Sequence, residues 1–115
     1  MAKDQSVTIF HNPKCGTSRT VLAALRDSGR DPTVVEYLKT GWTKPQLEGL
    51  LKAMKAGPRD ILRAKEPAAA GLAGASDAAI LAAMVAEPIL VERPIVVTDK
   101  GTALCRPADK VQALL

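Results

Sequence analysis

At 115 residues, 47% of them hydrophobic, the chain can bury one core as one domain without staples, and composition excludes intrinsic disorder. Phe10, Tyr37 and Trp42 are its only aromatic residues, so the core is aliphatic and a base-stacking surface for single-stranded nucleic acid is not expected. The net charge of +4, from sixteen basic and twelve acidic side chains, suits a small anionic ligand but is too weak and too scattered for DNA.

No run approaches the roughly eighteen apolar residues of a membrane span, and the polar start, Met1 to Ser6, lacks the core of a signal peptide. Cys15 and Cys105 stand ninety residues apart, which makes no disulfide framework and no paired metal-ligand spacing. A reducing cytoplasm is the expected home, and no bound metal or cofactor is expected.

Residues 6–10 alternate in the β pattern, with Val7 and Ile9 on one face. A helix is expected from Gly16 to Ser28, carrying Val21, Leu22 and Leu25, with Gly29 as its stop. After the Asp31-Pro32 turn, Thr33 to Tyr37 reads as a second strand, so the start of the chain is a right-handed βαβ unit with two parallel strands. Thr43 and Gln46 form a capping-box pair before the stripe Leu47, Leu50, Leu51 and Met54, and Gly57-Pro58 ends that helix. Pro58 can open a short helix running to Arg63. Residues 64–86 are rich in alanine, the best helix former, and Ser76-Asp77 can cap a helix through Ile80, Leu81, Met84 and Val85. Ile95–Thr98 and Thr102–Cys105 flank a short loop with Gly101 and read as an antiparallel hairpin; a closing helix covers Ala108 to Leu115.

The order βαβ, helices, ββα is that of the thioredoxin fold. The expectation is an α/β, three-layer sandwich with a mixed four-stranded sheet, in one domain over residues 1–115 with a helical insert at about 43–87.

The chemistry concentrates where the first strand meets the first helix, in His11-Asn12-Pro13-Lys14-Cys15-Gly16-Thr17-Ser18-Arg19. Ligands of open α/β sheets bind at the carboxyl ends of strands. A helix start offers unpaired N–H groups and roughly half a positive charge, which favours a thiolate. Asn12, Gly16, Thr17 and Ser18 are loop-type residues able to cradle an anion, and Lys14, Arg19 and His11 can add positive charge. The competing reading, a buried core cysteine, suits Cys105 on its apolar strand better. Ser18 stands where a Cys-x-x-Cys motif would place its second thiol, which disfavours a dithiol oxidoreductase. Arg19 follows Cys15 by four positions, not the six of a tyrosine-phosphatase loop.

Ionisation alone is a small advantage. A unit fall in a thiol's pKa gains at most tenfold in thiolate but costs about threefold in nucleophilicity. An anionic substrate also repels the thiolate, so cations must gather. Arg93 and Arg106 flank the two hairpin strands at their outer ends, which antiparallel pairing brings to one edge of the sheet; Arg63 ends the short helix.

These residues, with Leu62-Arg63, Glu92-Arg93-Pro94-Ile95-Val96-Val97 and Leu104-Cys105-Arg106-Pro107, resemble the glutaredoxin-coupled arsenate reductases nearly end to end and in order. The resemblance implies a thioredoxin-like fold with a helical insert, a nucleophilic Cys15, and Arg63, Arg93 and Arg106 around an oxyanion. It assigns His11 to activating the cysteine. It implies arsenate as substrate, glutathione as co-substrate and glutaredoxin as partner; a monomer is expected, and the composition and hydropathy give neither nucleic acid nor membrane as a partner. Two other readings stay open on the residues: an adaptor or transcriptional regulator without arsenate activity, and a monothiol reductase of disulfides.

Overall fold

The computed structural model describes residues 4–115; the polar start read from Met1 lies outside them at residues 1–3. The first strand, β1 (Asp4–His11), runs into helix α1 (Gly16–Asp27), then strand β2 (Pro32–Glu36). Two further strands, β3 (Ile95–Thr98) and β4 (Gly101–Leu104), complete a sheet of order β2-β1-β3-β4. β1 pairs parallel with β2, Ile9 opposite Val34, and antiparallel with β3, Ile9 opposite Val96. β3 and β4 form the hairpin, Val96 opposite Ala103 and Thr98 opposite Gly101. This is the mixed four-stranded, thioredoxin-like α/β sheet that the order of elements implied.

Alternation decides which side of the sheet is covered. Val7 and Ile9 project to one face and are fully buried there. They join Val21, Leu22 and Leu25 of α1, Val96 of β3, Cys105, and Val111 and Leu114 of the closing segment in one aliphatic cluster. At about 1.5–3 kcal/mol per large apolar side chain buried, this face carries the sheet's stability. Arg30 ties the strand ends, donating to Ser6 and Asp99 Oδ1 at 3.1 Å each.

The described chain groups into two compact units, one running up to Tyr37 and resuming at Arg93, the other spanning Leu38–Glu92. The second unit is wider than the insert read at about 43–87. Its first residues belong to a short helix, α2 (Tyr37–Thr40), so Tyr37 opens a helix rather than closing β2. Helix α3 (Lys44–Met54) carries the expected capping box: Thr43 Oγ1 accepts from Gln46 N at 3.2 Å, and Gln46 Oε1 accepts from Thr43 N at 3.3 Å. The stop falls before Gly57, because Lys55 turns left-handed at φ 54° and its N–H closes on Lys52 O. A 3-10 turn occupies Pro58–Ile61, a second Pro67–Leu72 and a third Pro88–Leu90; helix α4 (Asp77–Ala86) is capped by Ser76 Oγ, which accepts from Ala79 N at 3.2 Å. Arg59 fastens the alanine-rich stretch by donating to the carbonyls of Leu72, Ala73 and Ala75 at 3.4, 3.1 and 2.7 Å. Among the described residues no helix is long and apolar enough to cross a membrane.

The closing segment differs from the helix expected over Ala108 to Leu115. It is a 3-10 run, Ala108–Leu114, with Lys110 N bonded to Pro107 O and Leu115 N to Gln112 O. So short a run closes few α-helical bonds to offset nucleation, and the tighter turn still buries Val111 and Leu114.

Candidate active site

Cys15 is the N-cap of α1, in extended conformation at φ −93° and ψ 123°. Its position is fixed on both sides by backbone bonds, its N–H donating to Asn12 O and its carbonyl accepting from Arg19 N, both at 3.0 Å. The turn before it is an Asx turn, Asn12 Oδ1 accepting from Lys14 N at 3.0 Å. Arg19 braces the loop from the helix side by donating from Nη1 to Pro13 O at 2.9 Å.

Beneath the loop lies Ser18, fully buried. Its Oγ accepts from Asn12 N at 3.1 Å and meets His11 Nδ1 at 2.5 Å. Oγ accepts the Asn12 N–H and still holds one proton and a second lone pair for Nδ1, so the His11 tautomer decides which of the two donates. The sequence reading gives Asn12 and Ser18 to the anion-cradling loop backbone; their side chains pin that loop, and the Ser18 backbone N–H faces the sulfur. Burial pushes the His11 pKa below its ordinary value, Glu36 opposes this, and Arg26 and Arg19 add to the lowering. The positive charge expected of His11 is therefore missing at neutral pH. Its contact with the cysteine loop runs through Ser18.

Two arginines reach the sulfur from the hairpin. Arg106 Nη1 lies 3.6 Å from Cys15 Sγ and donates to Arg93 O at 3.0 Å. Arg93 is only 8% exposed, and its Nε and Nη1 have no hydrogen-bond partner. Leaving buried charged donors unpaired is costly, so such a guanidinium points to an anion that it is built to receive. Both arginines precede prolines in cis peptide bonds, Arg93-Pro94 and Arg106-Pro107.

These groups set the ionisation of Cys15. Burial opposes the thiolate; the Ser18 N–H, then the Arg93 and Arg106 side chains, outweigh it, and the pKa falls below that of an ordinary thiol. α1 has no acidic residue in its first turn to weaken the helix-start field. The sulfur is half-buried and thus open to a reactant.

Cys105 is the opposite case. It is fully buried, its N–H bonds to Pro94 O at 2.9 Å, and burial raises its thiol pKa to about 11. Gly16, exposed, and Thr17, half-buried, lie in the first turn of α1; a Cβ at Gly16 would meet Arg19 Nη2 at an ordinary 3.8 Å. Arg63 belongs to the second unit, where Nε pairs with Glu66 Oε1 at 3.1 Å and Nη1 with Glu92 Oε1 at 2.7 Å. The structure thus brings Cys15, Arg93 and Arg106 together, with His11 and Ser18 supporting the loop. The loop-bracing role of Arg19 was not read from sequence, where it counted only as charge.

A lone half-buried cysteine capping the first helix of this sheet, with hairpin arginines turned to its sulfur, defines a thiol protein of thioredoxin-like fold. Residues 10–114 match the model of the ArsC family, and the chain belongs to that family. It is 51% identical to the arsenate reductase ArsI1 of Synechocystis sp., over 97% of this chain and 81% of the relative. It is 44% identical to the arsenate reductase of Escherichia coli K12, over 96% of this chain and 81% of that one. Among solved structures, the arsenate reductase from Vibrio cholerae superposes with a TM-score of 0.88 at 38% identity, covering 95% of this chain and 97% of its own.

Proposed function

We propose that this chain is an arsenate reductase in which Cys15 is the nucleophile and glutathione the reductant, with glutaredoxin restoring the enzyme. The observation that carries the reading is the buried Arg93 guanidinium, with two unpartnered nitrogens, Nε and Nη1, beside a cysteine whose ionisation is favoured. A tetrahedral oxyanion needs donors of this kind, and the relatives named arsenate reductase support the choice of arsenate.

Arg93 and Arg106 donate to arsenate oxygens; charge-assisted bonds of this kind contribute about 1.5–3 kcal/mol each. The Cys15 thiolate bonds to arsenic, and one arsenate oxygen leaves as water after taking up protons; arsenic remains at +5. Glutathione thiolate then attacks the Cys15 sulfur. The new S–S bond forms as the S–As bond breaks, and its electron pair stays on arsenic, which leaves as arsenite at +3. Arsenate and two thiols thus become arsenite, one disulfide and one water. Glutaredoxin takes the glutathionyl group and returns Cys15 to the thiol. Arg63 is the third arginine that the resemblance assigns to the oxyanion. His11 acts on this chemistry through Ser18, whose N–H favours the thiolate. In this reading the enzyme works as a monomer in the cytoplasm.

The test is arsenate-dependent NADPH oxidation with glutathione, glutaredoxin and glutathione reductase present. A rate well above background that disappears in Cys15→Ser is expected. No rate for the wild type overturns the substrate, and a rate surviving Cys15→Ser overturns the nucleophile.

A further inference from the structure

We propose a second activity for this site: Cys15 reduces hydrogen peroxide, its sulfur taking one oxygen while Arg93 and Arg106 receive the charge that develops on the other. The proposal rests on Cys15 as nucleophile and needs no arsenate. Its parts all lie in one compact unit, the cysteine at the head of α1 and the arginines at the ends of the hairpin strands.

Attack on a peroxide breaks the O–O bond, and the departing oxygen takes the negative charge that the sulfur gives up. The donors that matter are those able to reach past the sulfur to that oxygen. Arg93 carries two, Nε and Nη1, buried and without a partner among the described residues. They belong to the same planar guanidinium that hydrogen-bonds the sulfur. At 8% exposure Arg93 is shielded from the water that would otherwise compete for them. Arg106 Nη1 lies 3.6 Å from Sγ, and its bond to Arg93 O at 3.0 Å holds one guanidinium against the backbone of the other arginine. The sulfur is half-buried, which leaves room for a molecule as small as hydrogen peroxide.

Peroxide is neutral, so these donors need not first offset repulsion between an anion and the thiolate. Ionisation alone would not favour the reaction, because a less basic thiolate is the weaker nucleophile. What the site adds is a bond to the leaving oxygen, and one charge-assisted bond made only in the transition state is worth about ten- to hundredfold in rate. The sulfur–oxygen bond forms as the O–O bond breaks. Sulfur gives up two electrons and becomes a sulfenic acid, and the departing hydroxide takes up a proton and leaves as water. No thiol of the chain can condense with that sulfenic acid, since Ser18 holds the Cys-x-x-Cys position and Cys105 is fully buried. Glutathione condenses with it instead, releasing a second water and leaving the same mixed disulfide that arsenate reduction leaves. One peroxide and two thiols thus become two waters and one disulfide.

The test follows peroxide consumption by the reduced full chain in stopped flow, without arsenate. Free glutathione in the same buffer is the reference, and both rates are expressed per thiolate from the alkylation profiles. Dimedone, which traps sulfenic acids, locates the oxidised residue by peptide mass spectrometry. Cys15 is expected to carry the label, with Cys105 unlabelled, and to react about tenfold or more faster than glutathione per thiolate. In Arg93→Lys and Arg106→Ala the peroxide rate per thiolate falls about tenfold. The plateau rate of alkylation by iodoacetamide, whose iodide leaves without help from such donors, is little changed. A wild-type rate per thiolate at or below that of glutathione overturns the proposal, and this comparison needs no variant. Equal losses of both rates in the variants, or label on Cys105 instead of Cys15, also overturn it. Failure here leaves arsenate reduction standing, and peroxide turnover without arsenate turnover sinks only arsenate as substrate.

Discussion

Arg106 Nη1 stands 3.6 Å from Cys15 Sγ while donating at 3.0 Å to the carbonyl of Arg93. One guanidinium therefore joins the thiol to the backbone of the other arginine at the sulfur, across ninety-one positions of sequence. Removing it loses a cation beside the thiolate and a brace on the neighbouring hairpin strand. Arg106→Ala is expected to move the pH profile of Cys15 alkylation by iodoacetamide to higher pH. With one charge-assisted bond to the transition state gone, kcat/KM for arsenate falls about ten- to hundredfold. An unchanged alkylation profile contradicts the role given to Arg106.

Cys105 gives a prediction of opposite sense. Its folded pKa, about 11, lies above that of an unfolded thiol, so between roughly pH 8.5 and 11 the native state holds the proton that the unfolded chain releases. The stabilisation is complete below the unfolded value and is lost as pH rises through that window, by at most about 1.4 kcal/mol per pH unit. Urea denaturation of Cys105→Ala should show a weaker loss over the same range, with turnover near neutral pH unchanged. A trapped, oxidised Cys15 in this variant would instead make Cys105 a resolving thiol.

For His11 the sign reverses, because burial lowers its pKa. The unfolded chain binds a proton more readily below about pH 6.5, so the contribution is present above that value and is lost as pH falls through the folded one. His11→Gln should lose less stability than the wild type between pH 7 and 5 in urea melts. Parallel curves would mean that the fold does not lower the His11 pKa.

Ser18 is a buried junction rather than a ligand. Ser18→Ala leaves the Asn12 N–H and His11 Nδ1 without their partner, at about 1–3 kcal/mol by urea denaturation. A loosened loop also holds the Ser18 N–H less well against the sulfur, so the alkylation profile moves to higher pH. A change in arsenate KM with stability and thiol ionisation both intact would restore the cradling role first read for this residue.

What could be read in the sequence was what is local or fixed by topology. Thr43 and Gln46 declare a capping box because the two bonds span three residues. The alternation of Val7 and Ile9, one helix and a glycine hairpin then leave few sheet arrangements, and antiparallel pairing carries Arg93 and Arg106 to one end. The direction of a polar side chain was not legible. A serine in a loop has the same letter whether its hydroxyl faces solvent or, as Ser18 does, the strand beneath. The left-handed Lys55 and the 3-10 closing segment were missed for a similar reason: both answer to tertiary packing against which propensity is a weak preference. Arg59, fastening three carbonyls of an alanine-rich stretch, could be read only as charge.

The most direct measurement is intact and peptide mass spectrometry of the enzyme after arsenate and glutathione, with glutaredoxin withheld. The account predicts a glutathione disulfide on Cys15, formed in step with one equivalent of arsenite, dependent on arsenate and strongly reduced in Arg93→Ala. Arsenite released with Cys15 unmodified, or a Cys15 adduct that forms equally without arsenate, would contradict it.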